Sequence, residues 1–203
     1  MREGLIVRDT GGQNNVRLAP SARFTNCEIV LAGNGNCVSI GAGAVLSGLR
    51  LQVLSGANRV EIGDRCRVTA SVIMKLVDGN ALRIGQGTSV GSCNFICGEG
   101  RSIIVGDDCM LAWGLEIRTT DSHAILDARN GDRINSADDI VIGDHVWVGA
   151  HATLLKGASV ARDSVVAMRS VVTTKFDEAG VVLGGSPARV LRSGVTWDRK
   201  LLG

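Results

Sequence analysis

The chain has 203 residues, of which 45% are hydrophobic, enough to bury the core of one domain. Its 22 basic and 20 acidic residues are interleaved, so the sequence shows no strongly basic face of the kind that binds nucleic acid. The N-terminus lacks a signal-peptide pattern, and no apolar run approaches the length of a membrane span. We therefore predict one cytoplasmic domain with no nucleic acid partner and no membrane insertion.

Residue usage favours a fold of short stacked strands. The chain contains 27 glycines, 2 prolines, no tyrosine and 3% aromatic residues, so Val, Ile, Leu and Ala carry its apolar content. A core of small and β-branched residues suits β-strands. The six cysteines lack the spacing of zinc ligands, and without a secretory signal their thiols are expected to stay reduced. We interpret them as small core residues and predict no metal site.

A repeat of six residues organises most of the chain. Residues 1–37 lack it and are predicted to form an irregular N-terminal cap, whereas residues 38–173 follow it. An aliphatic residue opens each block, as in the five blocks IGDHVW, VGAHAT, LLKGAS, VARDSV and VAMRSV that run on from Ile142. Earlier blocks open at Ile40, Ile62, Ile84 and Val105, with spacings of 22, 22 and 21 residues.

The repeat predicts an all-β triangular prism, a single-stranded parallel β-helix in which three blocks and a short insertion form one coil. The aliphatic residue of each block points inward and stacks on its equivalent in the next coil, while glycine and other small residues allow the tight corners. A single coil cannot bury its own apolar row, so stability comes from stacking.

One insertion interrupts the prism. The residues between Ile117 and Ile140 have no hexapeptide register, are rich in Asp, Asn, Ser and Arg, and contain the first histidine of the chain, His123. A polar loop on a rigid scaffold is where function tends to lie, so residues 118–139 are predicted to form a catalytic loop. After Thr173 the period stops, and residues 174–203 are predicted to form a C-terminal tail, extended or with a short helix.

Three segments resemble the hexapeptide-repeat acyltransferases, and more closely the polysaccharide O-acetyltransferases that modify bacterial capsule, O-antigen and sialic acid chains. They are TTDSHAILD in the insertion, the run from IGDHVW to SVVT, and the closing GGSPARV. The resemblance implies a left-handed β-helix that transfers an acetyl group from acetyl-CoA to a hydroxyl of a sugar or surface glycan. It also implies a homotrimer with active sites between subunits.

The same resemblance assigns the site residues. The catalytic histidine of the family falls on His123, and a tryptophan that serves both the catalytic site and the coenzyme groove falls on Trp147. The resemblance also implies contacts with the coenzyme. They fall on residues that line its groove and on basic residues near its phosphates: Trp147, Ala150, Met168, Thr173, Lys175 and Arg189.

The chemistry of acyl transfer agrees with these assignments. A sugar hydroxyl is a poor nucleophile while protonated, and histidine is the side chain whose pKa suits a general base at neutral pH. We expect His123 to be this base, with Asp121 or a backbone carbonyl orienting its ring. Donors for the developing oxyanion are the backbone N–H groups near Gly149 and Ala150, or the indole N–H of Trp147.

Two other classes of function stay open from the sequence. The prism also occurs in zinc-dependent carbonic anhydrases with three histidine ligands, and this chain has three histidines, His123, His145 and His151. A non-catalytic scaffold or sugar-binding protein would not need the insertion. Within acyl transfer, the acceptor and the acyl chain length are not determined by the sequence. The insertion is predicted to hydrogen-bond a charged or polyhydroxylated glycan through Asp121, Asp127, Arg129 and Arg133.

Overall fold

The computed structural model describes residues 2–201, which form 23 β-strands and no helix. The strands wind into a three-sided parallel β-solenoid, in which each side stacks strands of successive coils in parallel. The prediction of an all-β parallel prism is thus confirmed. Within residues 2–201 there is no helix long and apolar enough to cross a membrane.

Each side of the prism is a ladder of short strands. Side one contains β1 (Leu5–Asp9), β4 (Cys27–Leu31), β7 (Arg50–Val53), the second parts of β9 (Arg67–Lys75) and β11 (Ser89–Gly98), β14 (Leu115–Arg118), β17 (Thr153–Leu155) and β20 (Val171–Val172). Side two contains β2 (Asn15–Leu18), β5 (Cys37–Ile40), β8 (Arg59–Ile62), β10 (Ala81–Ile84), β12 (Ser102–Val105), β15 (Ile140–Ile142), β18 (Ser159–Val160) and β21 (Lys175–Phe176). Side three contains β3 (Arg23–Thr25), β6 (Val45–Ser47), the first parts of β9 and β11, β13 (Met110–Leu111), β16 (Trp147–Val148), β19 (Val165–Val166) and β22 (Val181–Gly185).

Three corners join the sides. The first corner lies between sides one and two, the second between sides two and three, and the third between side three and side one of the next coil. The last strand, β23 (Ala188–Ser193), departs from the winding and pairs antiparallel with β22.

The core consists of inward-pointing aliphatic columns. The block-opening residues of side two pair in register from coil to coil, and each is at most 3% exposed, as predicted from the period; they are Ile40, Ile62, Ile84, Val105 and Ile142. On side one the corresponding buried column runs through Ile29, Leu51, Val72, Phe95, Ile117, Leu154 and Val172. Burying each such side chain contributes roughly 1.5–3 kcal/mol.

The first 37 residues differ from the irregular cap that we expected. They form β1 to β4 and the first residue of β5, and β1, β2 and β3 pair in register with β4, β5 and β6 of the next coil. Leu5 and Phe24 point into the core, with exposed fractions of 7% and 8%. The first coil has wide corners, and Asn14 and Asn36 occupy equivalent positions 22 residues apart. The insertions at these corners conceal the period of six.

Stacked asparagines close the first corner in the N-terminal half. Asn36, Asn58 and Asn80 are at most 2% exposed. The Oδ1 atom of Asn36 accepts from the backbone N–H of Asn58 at 2.9 Å, and Asn58 Oδ1 accepts from that of Asn80 at 2.8 Å. Each amide therefore satisfies the backbone of the next coil, where a wide turn leaves N–H groups without a strand partner.

The C-terminal residues, expected to form a tail, instead extend the prism and then cover it. The strands β21 and β22 continue sides two and three, and β23 folds back on β22. Residues 194–201, which we call the strap, then run back along the second corner. Val195 in the strap donates its N–H to the carbonyl of Gly180 at 2.9 Å. Further along the strap, the guanidinium of Arg199 donates to the carbonyl of Gly87.

Candidate active site

The insertion forms a protruding hairpin. It leaves side one after β14 and returns to side two at β15, so residues 119–139 project from the first corner. Leu126 and Arg133 form an antiparallel bridge, and Ile134 donates its N–H to the carbonyl of Ile125 at 2.9 Å. The arms are therefore tied together, and the residues near the base of the hairpin occupy defined positions.

Asn135 organises the base of the hairpin. Its side chain is buried, and its Oδ1 atom accepts from the N–H of Ile125 at 2.7 Å. Its Nδ2 atom donates to the carboxylate of Asp121 at 2.7 Å and to the carbonyl of His123 at 2.8 Å. A buried amide paired on both sides acts as a rigid cross-link. Asn135 therefore fixes the backbone that carries His123.

Asp121 is held by a cation from a neighbouring coil. Its carboxylate forms an ion pair with the ammonium of Lys156, which also donates to the carbonyl of Asn135 at 3.0 Å. The hydrogen bond from Lys156 is the main cause that lowers the pKa of Asp121, and the bond from Asn135 adds to it. Asp121 is therefore ionised at neutral pH and links the hairpin to the first corner of the next coil, where Lys156 directly follows β17.

A second ion pair connects the hairpin to the preceding coil of the prism. The guanidinium of Arg133 contacts both carboxylate oxygens of Glu99, at 2.6 and 3.0 Å. The hydroxyl of Thr120 also donates to Glu99. Hydrogen bonds from Arg133 and then Thr120 lower the pKa of Glu99 to about 2. This bidentate geometry is the strong form of an Arg–carboxylate contact.

The predicted base, His123, lies exposed on this hairpin. Within residues 2–201 its imidazole forms no hydrogen bond, and the carboxylate of Asp121 faces Lys156 and Asn135 rather than the ring. The structure thus presents His123 to solvent from a fixed backbone. The orienting role of Asp121 stays a prediction.

Trp147 lies on a different part of the prism from His123. It points outward from β16 on side three, with an exposed fraction of 38%. In the residues that the structure describes, its indole N–H has no partner, whereas the N–H of Gly149 already donates to Val166 at 2.8 Å. Of the predicted oxyanion donors, the N–H of Gly149 is thus engaged in a hydrogen bond between coils. The backbone N–H of Ala150 and the indole N–H of Trp147 stay candidates.

The predicted coenzyme contacts fall into two groups. Ala150 and Met168 occupy equivalent positions of adjacent coils at the third corner, where Arg169 N–H donates to the Ala150 carbonyl at 2.9 Å. Ala150 is buried, whereas Met168 is 63% exposed. The exposed Thr173, Lys175 and Arg189 lie elsewhere: after β20, in β21 on side two, and in β23.

The three histidines lie at three different corners. His123 is on the hairpin at the first corner. His145 is at the second corner, where its Nδ1 atom lies 3.0 Å from a carboxylate oxygen of Asp163. His151 is at the third corner, beside Gly114. Within residues 2–201 no group of three or more His, Cys, Asp or Glu side chains is arranged to hold a metal ion.

Sequence reasoning missed Asn135, Lys156 and Glu99, although all three hold the hairpin. Asn135 is one of many polar residues in the insertion, and nothing in its neighbours distinguishes it. Lys156 is the third residue of its block LLKGAS, and other blocks have Asp, Arg or Met at that position, so the repeat gives no local signal for it either.

Comparisons with known proteins show what the whole chain is similar to. No family model matches the chain. A polysialic acid O-acetyltransferase of Neisseria meningitidis is 38% identical over 114 residues, which cover 56% of this chain and 53% of that protein. The match thus spans about half the length of this curated relative.

Two crystal structures match over nearly their full length. The polySia-specific acetyltransferase NeuO is 26% identical, with a TM-score of 0.90 over 98% of this chain and 91% of that one. The polysialic acid O-acetyltransferase OatWY is 30% identical, with a TM-score of 0.92 over 97% of this chain and 93% of that one. On this likeness, the chain belongs to the family of hexapeptide-repeat β-helix acetyltransferases that includes the polysialic acid O-acetyltransferases.

Proposed function

We propose that this protein transfers an acetyl group from acetyl-CoA to a hydroxyl of polysialic acid or a similar polyanionic glycan, with His123 as general base. The observation that carries the proposal is the full-length likeness to OatWY, in a fold that presents a histidine from a braced hairpin. The fixed backbone of His123 supports a catalytic role, because a base must be held within hydrogen-bond reach of its proton.

The residues suggest a direct transfer. His123 removes the proton of the acceptor hydroxyl while that oxygen attacks the thioester carbonyl and forms a C–O bond. The indole N–H of Trp147, which has no partner within residues 2–201, donates to the developing oxyanion. When the C–S bond breaks, the protonated His123 returns the proton to the departing thiolate. The products are the O-acetyl ester and the free thiol of coenzyme A.

A second copy of the chain completes the site in this proposal. The hairpin with His123 leaves the first corner, whereas Trp147 points outward from side three. Contact between the two predicted catalytic side chains is therefore easier to make between copies than within one chain. We propose a homotrimer of parallel prisms, in which the hairpin of one subunit meets side three of its neighbour.

The third corner offers a surface for the acyl donor. Ala150 is small and buried, while Trp113 and Met168 in the adjacent coils are 62% and 63% exposed. The small residue leaves a recess between two large apolar side chains, which suits the narrow pantetheine arm of coenzyme A. In this proposal Thr173, Lys175 and Arg189 contact the remainder of the coenzyme, with the two basic residues near its phosphates.

Side three also offers cations for a polyanionic acceptor. In-register pairs connect Arg23, Val45, Arg67, Ser89, Met110 and Trp147 in one outward row. Arg23 and Arg67 are exposed, and neither forms an ion pair in the part of the chain that the structure describes. Arg67 lies three coils from Trp147, about 14 Å at the spacing of ~4.8 Å between strands.

The arginines of the hairpin suit this role less well. Arg129 pairs with Asp127 and Arg133 pairs with Glu99, so each already has a carboxylate partner. An acceptor carboxylate would have to displace that partner. The sequence-based assignment of glycan binding to Arg129 and Arg133 therefore stays a prediction, and the row on side three is the alternative that we propose.

The test is acetyl transfer to a set of acceptors. Release of free coenzyme A is measured with polysialic acid, monomeric sialic acid and a neutral polysaccharide. We expect turnover with polysialic acid, and a several-fold higher KM for this polymer in Arg67→Ala with the KM for acetyl-CoA unchanged. Equal rates with the neutral polysaccharide would contradict the proposed acceptor class, and no turnover with any acceptor would contradict the proposed reaction.

A further inference from the structure

The strap places a tryptophan beside the proposed catalytic site. Trp197 is 8% exposed, although it lies only four residues before Leu201, the last residue that the structure describes. Its indole stacks on the imidazole of His145, with ring centroids 4.3 Å apart and an angle of 8° between the planes. Its Nε1–H donates to the backbone carbonyl of His145 at 2.7 Å. Trp197 is therefore fixed in orientation by two different contacts.

The fixed indole of Trp197 contacts Trp147. The two ring centroids lie 6.2 Å apart and the planes are tilted by 50°, within the range of favourable aromatic pairs. The hydrogen bond from Trp197 to the carbonyl of His145 is also close to Trp147. His145 lies two residues before Trp147, at the corner that leads into β16. The strap thus braces both the side chain of Trp147 and the backbone before it.

Arg199 anchors the strap beyond this contact. Its guanidinium donates to the carbonyl of Cys109 and to the hydroxyl of Ser89, both at 2.8 Å, and lies 3.1 Å from a carboxylate oxygen of Asp108. The same group lies 5.7 Å from the ring centroid of Trp197. On the other side of Trp197, Gly180 admits the strap, since a Cβ there would lie 2.7 Å from the carbonyl oxygen of Val195. The strap is thus held on both sides of Trp197.

We propose that Trp197 is a positioning residue for catalysis, which holds the indole of Trp147 in the orientation that the acetyl-transfer site requires. This inference rests on the proposed function, in which Trp147 donates to the oxyanion. Trp147 is partly exposed on a strand of two residues, so its own coil restrains it weakly. Trp197 packs against the Trp147 indole from the side of the second corner and restrains its orientation.

Kinetics of strap variants test this role. We expect Trp197→Ala to lower kcat by about 10- to 100-fold, the scale of a small misplacement of a catalytic group, and Trp197→Phe to restore much of the loss because it keeps an aromatic wall. The KM for the glycan acceptor should change little. Thr196→Ala, an exposed strap substitution, is the matched control and should retain the parent kcat.

A double-mutant cycle separates positioning from general stabilisation. If Trp197 acts through Trp147, then Trp197→Ala should have no further effect on kcat in a Trp147→Ala background. Melting temperatures of all variants identify those that are merely unfolded. Full additivity of the two losses in folded variants would overturn the proposal.

A spectroscopic measurement keeps the inference testable if no acceptor is turned over. Protein labelled with 5-fluorotryptophan gives one ¹⁹F resonance for each of its three tryptophans, which Trp→Phe substitutions assign. We expect the Trp147 resonance to shift and broaden in Trp197→Ala and in Arg199→Ala, but not in Thr196→Ala. An unchanged Trp147 resonance in Trp197→Ala would overturn the positioning role, whereas absent turnover with a changed resonance would count against the proposed function alone.

Discussion

The side-chain amide of Asn135 donates a hydrogen bond to the backbone carbonyl of His123 across 2.8 Å. Its second contact, to the carboxylate of Asp121 at 2.7 Å, uses the same nitrogen. In Asn135→Asp an oxygen replaces this nitrogen and faces two acceptors, so the base of the hairpin should open. We expect kcat to fall by about 10- to 100-fold, measured as the initial rate of coenzyme A release at saturating substrates.

A matched substitution at the tip of the hairpin controls for added charge. Asn130 also donates to an aspartate, Asp132, at 2.7 Å, but it is exposed and does not contact His123. Asn130→Asp should therefore leave kcat close to the parent value. An equal loss of activity in both variants would show that negative charge on the hairpin, and not the contact to His123, determines the rate.

A site shared between subunits predicts rescue in mixed oligomers. His123→Ala and Trp147→Ala should each be nearly inactive as homo-oligomers, and co-expression should restore activity because some sites then combine an intact His123 with an intact Trp147. For a trimer with random mixing, about a quarter of the sites are intact, as follows from cyclic symmetry. Activity of the purified mixture measures this fraction. If co-expression restores no activity, then His123 and Trp147 do not form a shared site between subunits.

Acid should weaken the contact between the hairpin and the prism. Arg133 and Thr120 lower the pKa of Glu99 from 4.5 to about 2. The ionised carboxylate of Glu99 therefore stabilises the folded state fully at pH values above about 4.5. That stabilisation is lost as the pH falls from about 4.5 towards 2. Glu99→Gln should lower the free energy of unfolding by about 1–3 kcal/mol at neutral pH, and the difference from the parent should vanish in strong acid.

Denaturant unfolding of both proteins across this pH range measures the effect. Glu178→Gln serves as the control, since Glu178 is exposed and has no ion pair within residues 2–201. A difference between parent and Glu99→Gln that persists unchanged near pH 2 would contradict the assignment of the low pKa to Glu99.

The buried thiols should be unreactive in the folded protein. Burial raises the pKa of Cys66 and of Cys109 to about 11 and that of Cys97 to about 12, and it raises that of Cys93 well above its ordinary value. Because the thiolate is the reactive form, titration with an aromatic disulfide reagent at neutral pH should detect at most the half-buried Cys37. All six cysteines are free and should react after unfolding. Several fast-reacting thiols in the native protein would contradict this prediction.

The prism could be predicted because each block encodes its own inside and outside. The burial of Ile62 and Ile84 follows from their place in the hexapeptide and needs no knowledge of distant residues. The N-terminal coil was harder to predict, since its corners are wider and its asparagines, such as Asn36, lie in the corner insertions that interrupt the period. Their hydrogen bonds join positions 22 residues apart, a spacing that a six-residue pattern does not reveal.

The supports of the site could not be predicted for the same physical reason. Lys156 meets Asp121 across 35 residues, and Trp197 meets His145 across 52. These contacts depend on how coils stack and on the path of the hairpin and the strap. The sequence indicated that His123 lies in a polar excursion, but it did not indicate that Asn135 holds its backbone.

The most direct test of the account is the rate of acetyl transfer to polysialic acid by the parent protein and by His123→Ala. Free coenzyme A and the acetylated polymer are quantified together at neutral pH, with circular dichroism to establish that the variant is folded. A general base typically contributes ~10²–10⁴-fold, so the account predicts a loss on this scale in His123→Ala. A folded His123→Ala protein that acetylates polysialic acid at the parent rate would contradict the account.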